Sequence, residues 1–157
     1  MANWCINRFV VSHDNLRVIS RIRKAFSCGR LFDEFIRAPT ERTMEKDDIN
    51  LMSWTCKNWG TPCDVGKDRF NTVAELSPNA ALYEIETRDT PPLIVFNHWV
   101  GIGCHVNGWF WEPFMQLKGT YSNKKVRYEK CEPPEALFRA TSQTEKKIPK
   151  ASEKERR

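Results

Sequence analysis

Cysteine and histidine side chains are the residues of this sequence whose chemistry suits a metal ion. The candidate set is Cys56, Cys63, His98, Cys104 and His105. Structural zinc sites ordinarily take two ligands from one tight turn, with about two to four residues between them. Six residues separate Cys56 from Cys63, which is too loose for that signature. We therefore expect no metal and no cofactor, and we expect reduced cysteines that pack as small hydrophobic side chains.

A cysteine nucleophile would need a histidine base within hydrogen-bonding distance and a third group that orients the base. Cys63 and Cys104 are the candidate thiols, and His98 and His105 are the candidate bases. Neighbouring residues of a strand point to opposite faces, so adjacency of Cys104 and His105 does not supply this arrangement. The sequence also lacks the glycine-rich phosphate loops of nucleotide-binding proteins. We expect no catalytic residues.

Tryptophan is a further residue type of interest, because it is enriched among the anchor residues of protein interfaces. Four of the six tryptophans lie in or beside segments predicted to be irregular: Trp54, Trp59, Trp109 and Trp111. The alternative is that these rings pack an inserted segment against the sheet, since large aromatic side chains are usually buried. We take the four as the candidate partner-binding residues.

Single-stranded nucleic acid is the second class of ligand that the sequence allows. RNA-recognition motifs stack bases on the aromatic residues of their sheet, and Phe9 and Trp99 lie in predicted strands. Arg17, Arg21 and Lys24 recur at helical spacing and form one basic helix face. The alternative role of these charges is solvation. The basic-glycine-aromatic signature of RNA-recognition motifs is absent from the predicted third strand, so a protein partner is the leading hypothesis.

The formal charge of +5 over 157 residues is unevenly distributed. Residues 141–157 contain six lysines and arginines against three glutamates, which leaves +2 for residues 1–140. Ile148 is the one large apolar residue after Thr141, so burial would offset little of the entropy lost on ordering. The sequence predicts one domain over residues 1–140 and a disordered basic tail over 141–157.

No export or membrane signal is visible in the sequence. No apolar run approaches the roughly 20 residues of a membrane-spanning helix. The first residues lack the basic and apolar regions of a signal peptide. We therefore expect a cytoplasmic protein whose six cysteines are reduced thiols.

Apolar spacing predicts the elements that position these residues. Residues 4–11 are rich in β-branched and aromatic side chains and predict a strand. The cap-type residues at 12–15 and the apolar spacing that follows predict a helix to about Phe26. Residues 30–66 are interpreted as an insertion, and its aromatic part at 54–64 is predicted to be irregular.

The second half of the chain predicts a strand within 72–88, a strand at 93–100, a short helix within 109–117 and a last strand at 124–131. The resulting order is strand, helix, strand, strand, helix, strand. This βαββαβ order is that of a ferredoxin-like sandwich, in which two helices cover one face of four antiparallel strands. We therefore predict an α+β fold of the ferredoxin-like type.

Short motifs resemble a family of phage and plasmid proteins of unknown function. Residues 3–7, Asn-Trp-Cys-Ile-Asn, resemble the start of that family, and residues 58–61, Asn-Trp-Gly-Thr, followed by Asp64, resemble its central motif. Residues 31–39 and 96–99 match two weaker motifs. The resemblance implies a YubB-type ferredoxin-like domain and a gene carried by mobile elements, and it implies no activity.

The leading functional hypothesis is a non-enzymatic accessory protein of a phage or plasmid. It would bind a host or element-encoded macromolecule, and antagonism of a host defence or regulatory protein is one version. The alternative is a single-stranded nucleic-acid-binding protein that uses the sheet face and the basic tail. An enzyme is the third hypothesis, because no acid, base and nucleophile converge in the sequence.

Overall fold

A six-stranded antiparallel sheet forms the centre of the computed structural model, which describes residues 3–40 and 50–130. The elements of these residues are β1 (Trp4–Ser12), α1 (Leu16–Ser27), α2 (Leu51–Trp59), β2 (Thr72–Ser77), β3 (Ala80–Arg88), α3 (Leu93–Gly101), β4 (His105–Glu112), β5 (Leu117–Ser122) and β6 (Lys125–Lys130). The strands lie in the order β2-β3-β1-β4-β5-β6. The predicted α+β class is confirmed. The predicted tail at 141–157 lies outside the described residues.

Alternation along the strands gives the sheet two unlike faces. On β1, the buried Cys5, Phe9 and Val11 alternate with the exposed Trp4 and Arg8. Successive side chains of a strand point to opposite faces, so the buried set lies on one face only. The helices supply the other side of that core, with Ile19, Ile22 and Phe26 from α1, Trp59 from α2, and Val95, Phe96 and Trp99 from α3.

The predicted first strand and first helix are confirmed. Helix α1 begins after Asn15, whose side-chain oxygen accepts a hydrogen bond from the backbone N–H of Arg17. Such a cap satisfies a backbone donor that the helix leaves unpaired. The helix ends at Cys28, and Gly29 follows with φ +72°, a conformation that glycine adopts without steric cost.

The strand predicted at residues 93–100 is wrong, because these residues form helix α3. Its buried side chains Val95, Phe96 and Trp99 follow a helical spacing of three to four residues rather than a spacing of two. Pro92 stands at the start of the helix, where a missing backbone N–H costs nothing. A short apolar run is compatible with a buried helix and with a buried strand, and the sequence pattern did not separate them.

The helix predicted within residues 109–117 is also wrong. This segment contains the end of β4, a turn and the start of β5. Residues 54–59, predicted to be irregular, instead belong to helix α2. Its N-cap Asn50 accepts a hydrogen bond from the backbone N–H of Ser53, and Gly60 ends the helix with φ +82°. The apolar spacing of Phe110 and Phe114 suggested a helix, but the two residues lie in a strand and a turn.

The predicted count of four strands is wrong, because the described residues contain six. Within the sheet, β2, β3, β1 and β4 are neighbours in that order. Helix α1 lies between β1 and β2 in the chain, and α3 lies between β3 and β4. Strands β5 and β6 extend the sheet beyond β4. The predicted alternation of strands and helices therefore recurs, but over different residues in the second half.

Two side chains, those of Asp64 and Trp59, hold together the segment between α1 and β2. Asp64 accepts hydrogen bonds from the backbone N–H groups of Phe32 and Asp33, both at 2.8 Å. The indole N–H of Trp59 donates to the carbonyl of Ile36 at 2.7 Å. Burial is the main cause that raises the pKa of Asp64, against the lowering effect of these N–H donors.

No helix of the described residues is long and apolar enough to cross a bilayer.

Candidate functional site

The sheet face opposite the helices, here called the open face, carries the candidate site. By strand register its central residues are Ile6, Arg8 and Val10 of β1, Leu82, Glu84 and Glu86 of β3, Asn107, Trp109 and Trp111 of β4, Lys118 and Thr120 of β5, and Lys125, Arg127 and Glu129 of β6. Trp4 lies at one end of this face. Trp4 and Trp109 are exposed by 50% and 44%. No helix of the described residues covers these two rings.

Trp109 lies near the middle of the open face. It is opposite Arg8 on β1 and opposite Thr120 on β5, and Thr120 is in turn opposite Arg127 on β6. A cross-strand row therefore runs from a guanidinium through an indole and a hydroxyl to a second guanidinium. Neighbouring strands lie about 4.8 Å apart, so the row is about 15 Å long between its outer backbones.

Trp111 lies on the same face and differs from Trp109 in burial. It is opposite Ile6 and Lys118, and it is exposed by only 7%. Its indole N–H is buried and finds no acceptor within residues 3–40 and 50–130. Of the two predicted β4 anchors, Trp109 is therefore the accessible one.

The charges of the open face differ between its two halves. On the β3 side, Arg8 pairs with Glu84 at 3.2 Å, and Glu86 adds a second carboxylate. On the other side lie Lys118, Lys125 and Arg127, here called the basic strip. Lys118 pairs with Glu129 at 3.2 Å. Neither Lys125 nor Arg127 has a carboxylate partner in the described part of the chain.

The sequence prediction missed the basic strip. Residues 117–130 contain five lysines and arginines against Glu129 alone, a net charge of +4 in 14 residues. Averaging the charge over residues 1–140 concealed this local excess. A shorter window would have shown it, although the face on which the charges lie follows only from the strand register. Trp4, predicted to lie in the first strand, was not among the candidate residues.

The other two predicted interface tryptophans pack inside the protein. Trp59 is buried, and Trp54 is half-buried with its ring edge-to-face on Trp59 at 5.9 Å between centroids. Trp59 also contacts the ring of Phe32. The predicted set of four therefore divides into two packing residues on α2 and two residues on the open face.

The stacking role predicted for Phe9 and Trp99 is corrected by the structure. Phe9 is exposed by 2% and Trp99 by 0%, so neither ring is accessible to a base. Phe9 lies on the helix-covered face, where it contacts the rings of Tyr83 and Phe96. Trp99 belongs to helix α3 rather than to a strand.

The predicted basic face of α1 lies on the helix layer, away from the open face. Arg21 donates from Nε to Glu34 at 2.7 Å and lies over the ring of Phe35. This hydrogen bond is the main cause that lowers the pKa of Glu34. Arg21 therefore anchors the segment after α1, whereas Arg17 and Lys24 are exposed.

The cysteine and histidine candidates do not form a metal site. Within the described ranges, no three His, Cys, Asp or Glu side chains lie where they could hold one ion. Cys56 and Cys63 are exposed, as are His98 and His105, whereas Cys104 is buried. Burial raises the pKa of Cys104 to about 11.

A polar network, buried at Asn7 and Thr87, connects the segments that carry the two distinctive motifs. The amide of Asn7 donates to the carbonyl of Cys5 and to the hydroxyl of Thr87, both at 2.9 Å. Thr87 donates to the carbonyl of Thr90, and Thr90 donates to the carbonyl of Gly60. Residues 3–7 and 58–61 are therefore linked through the end of β3.

Cys5 belongs to this network as a protonated thiol. Burial, and then the carboxylate of Glu112, raise its pKa to about 12. A thiol with such a pKa carries almost no thiolate near neutral pH, and the thiolate is the reactive form. The network therefore has a structural role, and it leaves the open face as the candidate site.

Comparison of the chain with protein-family models, with characterised proteins and with solved structures finds no match.

Proposed function

We propose that this protein is not an enzyme and acts by binding a macromolecule on the open face of its sheet. The observation that carries the proposal is the exposure of Trp4 and Trp109 on a face that no described helix covers. Tryptophan has a large apolar surface and is enriched at binding sites. Two exposed indoles on the same face of the sheet therefore favour a partner that buries them.

The ionisation of Cys104 and Cys5 weighs against a cysteine nucleophile at either of these two positions. Cys104 was the candidate nucleophile with the nearest histidine in sequence, and its pKa is raised to about 11 by burial. The pKa of Cys5 is raised further, to about 12. Catalytic cysteines show the opposite shift, because neighbouring cations or helix N-termini stabilise their thiolates.

The topology supports a ferredoxin-like core that is extended by a hairpin. Strands β2, β3, β1 and β4 with helices α1 and α3 have the order expected of that fold, and β5 and β6 add to the β4 edge. RNA-recognition motifs share this core order and bind their ligands on the sheet face that lacks helices. Fold alone does not assign a function, but this analogy favours the open face as the binding surface.

The biological setting of the proposal is a phage or plasmid, in which the protein would be an accessory factor. Its support is the resemblance of residues 3–7, 31–39 and 58–64 to proteins of such elements. Side chains of these segments, Asn7, Trp59 and Asp64, make hydrogen bonds that hold the fold together. The motifs are therefore explained by a structural role rather than by a catalytic one. Antagonism of a host defence or regulatory protein is the version in which the partner is a protein.

Affinity capture with surface variants tests the proposed function. The tagged full-length chain is incubated with bacterial lysate, and the retained protein and nucleic acid are quantified. We expect the double variant Trp4→Ala, Trp109→Ala to lose what the wild type retains. Phe70→Ala is the matched control, because Phe70 is a comparably exposed aromatic residue in the loop before β2, the edge strand at the opposite end of the sheet from β6. Retention of the same molecules by the double variant would refute the proposal.

A further inference from the structure

We propose that the open face binds single-stranded nucleic acid across β4, β5 and β6. One base stacks on Trp109, and Lys118, Lys125 and Arg127 of the basic strip hold the phosphates. This inference rests on the proposed function, because it requires the open face to be a binding surface. It adds the chemical class of the partner and the direction in which the nucleic acid crosses the sheet.

Trp109 has the position that base stacking requires. It lies near the centre of the open face between Arg8 and Thr120, and it remains exposed by 44%. Every base has a π-face, so an exposed indole binds single strands with little sequence preference. A base in a duplex is already stacked on both sides, so the same ring offers nothing to double-stranded DNA.

The basic strip lies within reach of a phosphate next to a base on Trp109. Arg127 is in the same cross-strand row as Trp109, two strands away, which is about 10 Å between backbones. Lys125 and Lys118 lie on either side of that row on the same face. Because Lys125 and Arg127 have no carboxylate partner in the described residues, a phosphate would not have to displace one.

Charge complementarity favours nucleic acid over a protein partner on this half of the face. By strand register the charged side chains of β5 and β6 on this face are Lys118, Lys125, Arg127 and Glu129, a net charge of +2. Lysine is depleted in protein interfaces, whereas clustered lysine and arginine are typical of phosphate-binding surfaces. On the other side of Trp109, Glu84 and Glu86 would repel phosphates. The nucleic acid is therefore expected to run from Trp109 on β4 towards β6.

Fluorescence anisotropy with the full-length chain and a labelled oligodeoxythymidine of about 12 nucleotides tests the inference. The wild type should bind with an affinity that falls steeply as salt rises. Trp109→Ala should weaken binding by about fivefold or more and leave the salt dependence unchanged, because it removes stacking and no charge. Trp109→Phe should keep most of the affinity.

Arg127→Gln tests the phosphate contact. It should lower the slope of log affinity against log salt by about one, as loss of one phosphate contact does. Phe70→Ala is the control, and it should bind as the wild type does. Thermal unfolding of each variant separates loss of binding from loss of fold.

Three results with an oligonucleotide that binds would overturn the inference, and so would the absence of oligonucleotide binding. Wild-type affinity in both Trp109→Ala and Arg127→Gln would exclude the basic strip. Equally tight binding of a duplex would exclude stacking. Loss of binding only in the triple variant Lys146→Gln, Lys147→Gln, Lys150→Gln would assign it to residues 141–157. If no oligonucleotide binds, but Trp109→Ala loses a protein that the wild type retains in affinity capture, the inference fails while the proposed function stands. If no molecule retained in affinity capture depends on Trp4 or Trp109, both fail.

Discussion

The two faces of the sheet are built from the same strands and have opposite properties. On the covered face, Phe9 packs against Tyr83 with their centroids 5.4 Å apart, and against Phe96 at 4.6 Å. On the open face, the adjacent cross-strand row contains Trp109, which is exposed to water between Arg8 and Thr120. The comparison shows that residue type alone does not separate a packing aromatic residue from a binding one. The face of the strand on which the residue lies determines whether the ring packs in the core or is exposed for binding.

Polar residues differ between the faces in the same way. Asn7 on the covered face is buried, and its amide donates to three oxygens, of Cys5, Ile85 and Thr87. Asn107 on the open face is exposed and accepts one hydrogen bond, from Ser122. A buried polar group must be satisfied within the protein, whereas an exposed one can bond to water. Substitutions on the covered face should therefore change stability, and those on the open face should change binding.

The largest expected effect is that of Phe9→Ala. Removal of this buried ring should lower the free energy of unfolding by about 3–5 kcal/mol, because the surrounding rings cannot fill the cavity. Trp109→Ala, which removes a larger but half-exposed ring, should cost about 1 kcal/mol. Urea denaturation followed by circular dichroism measures both values. Similar losses in the two variants would contradict the division of the sheet into a packing face and a binding face.

The second comparison uses the two asparagines. Asn7→Ala should lower the free energy of unfolding by about 2 kcal/mol, because it leaves buried oxygens without their donor. Asn107→Ala is the matched variant on the open face, and it should change the free energy by less than about 0.5 kcal/mol. Both are measured by urea denaturation. A loss in Asn107→Ala as large as that in Asn7→Ala would show that the open face also contributes to the folded state.

The sequence predicted the elements that have a clear local signal. Residues 4–11 are rich in β-branched and aromatic side chains, and they form β1; Leu16, Ile19, Ile22 and Phe26 recur at helical spacing, and they lie in α1. The last strand, predicted at 124–131, agrees with β6. In α1 and β6 apolar residues recur on one face, so the spacing itself indicates the type of element.

The remainder depended on contacts between distant segments. Residues 93–100 are apolar on nearly all sides, so their sequence could not distinguish helix α3 from a strand. The strand register, which places Arg127 in line with Trp109, is set by the hairpins and by pairing with β1, and no local pattern records it. The candidate site was therefore found only in part: Trp109 was predicted, whereas the basic strip and Trp4 were not.

The pH dependence of stability sharpens the comparison at Glu112. Burial on the covered face, and then the carboxylate of Asp89, raise the pKa of Glu112 above its ordinary value of 4.5. The folded state then holds this proton to higher pH than the unfolded chain does. The stabilising contribution of protonated Glu112 to the free energy of unfolding is fully present below pH 4.5. It is lost as the pH rises through the pKa of the folded state.

Glu112→Gln should therefore become more stable relative to the wild type as the pH rises above that value. The measurement is the urea midpoint of both proteins between about pH 4 and pH 8. Glu129→Gln is the control, because Glu129 is exposed on the open face and pairs with Lys118. A difference between Glu112→Gln and the wild type that does not change with pH would contradict the assignment.

A small effect on stability is also expected of Glu84→Gln. Its ion pair with Arg8 lies on the open face with both side chains about half exposed, and such pairs contribute about 0–1 kcal/mol. The same substitution removes a negative charge beside Trp109 and frees Arg8, so it should strengthen oligonucleotide binding at low salt. Anisotropy and urea denaturation of one preparation measure both. A variant that loses stability without gaining affinity would place Glu84 with the packing residues, and the functional difference between the two faces would no longer hold.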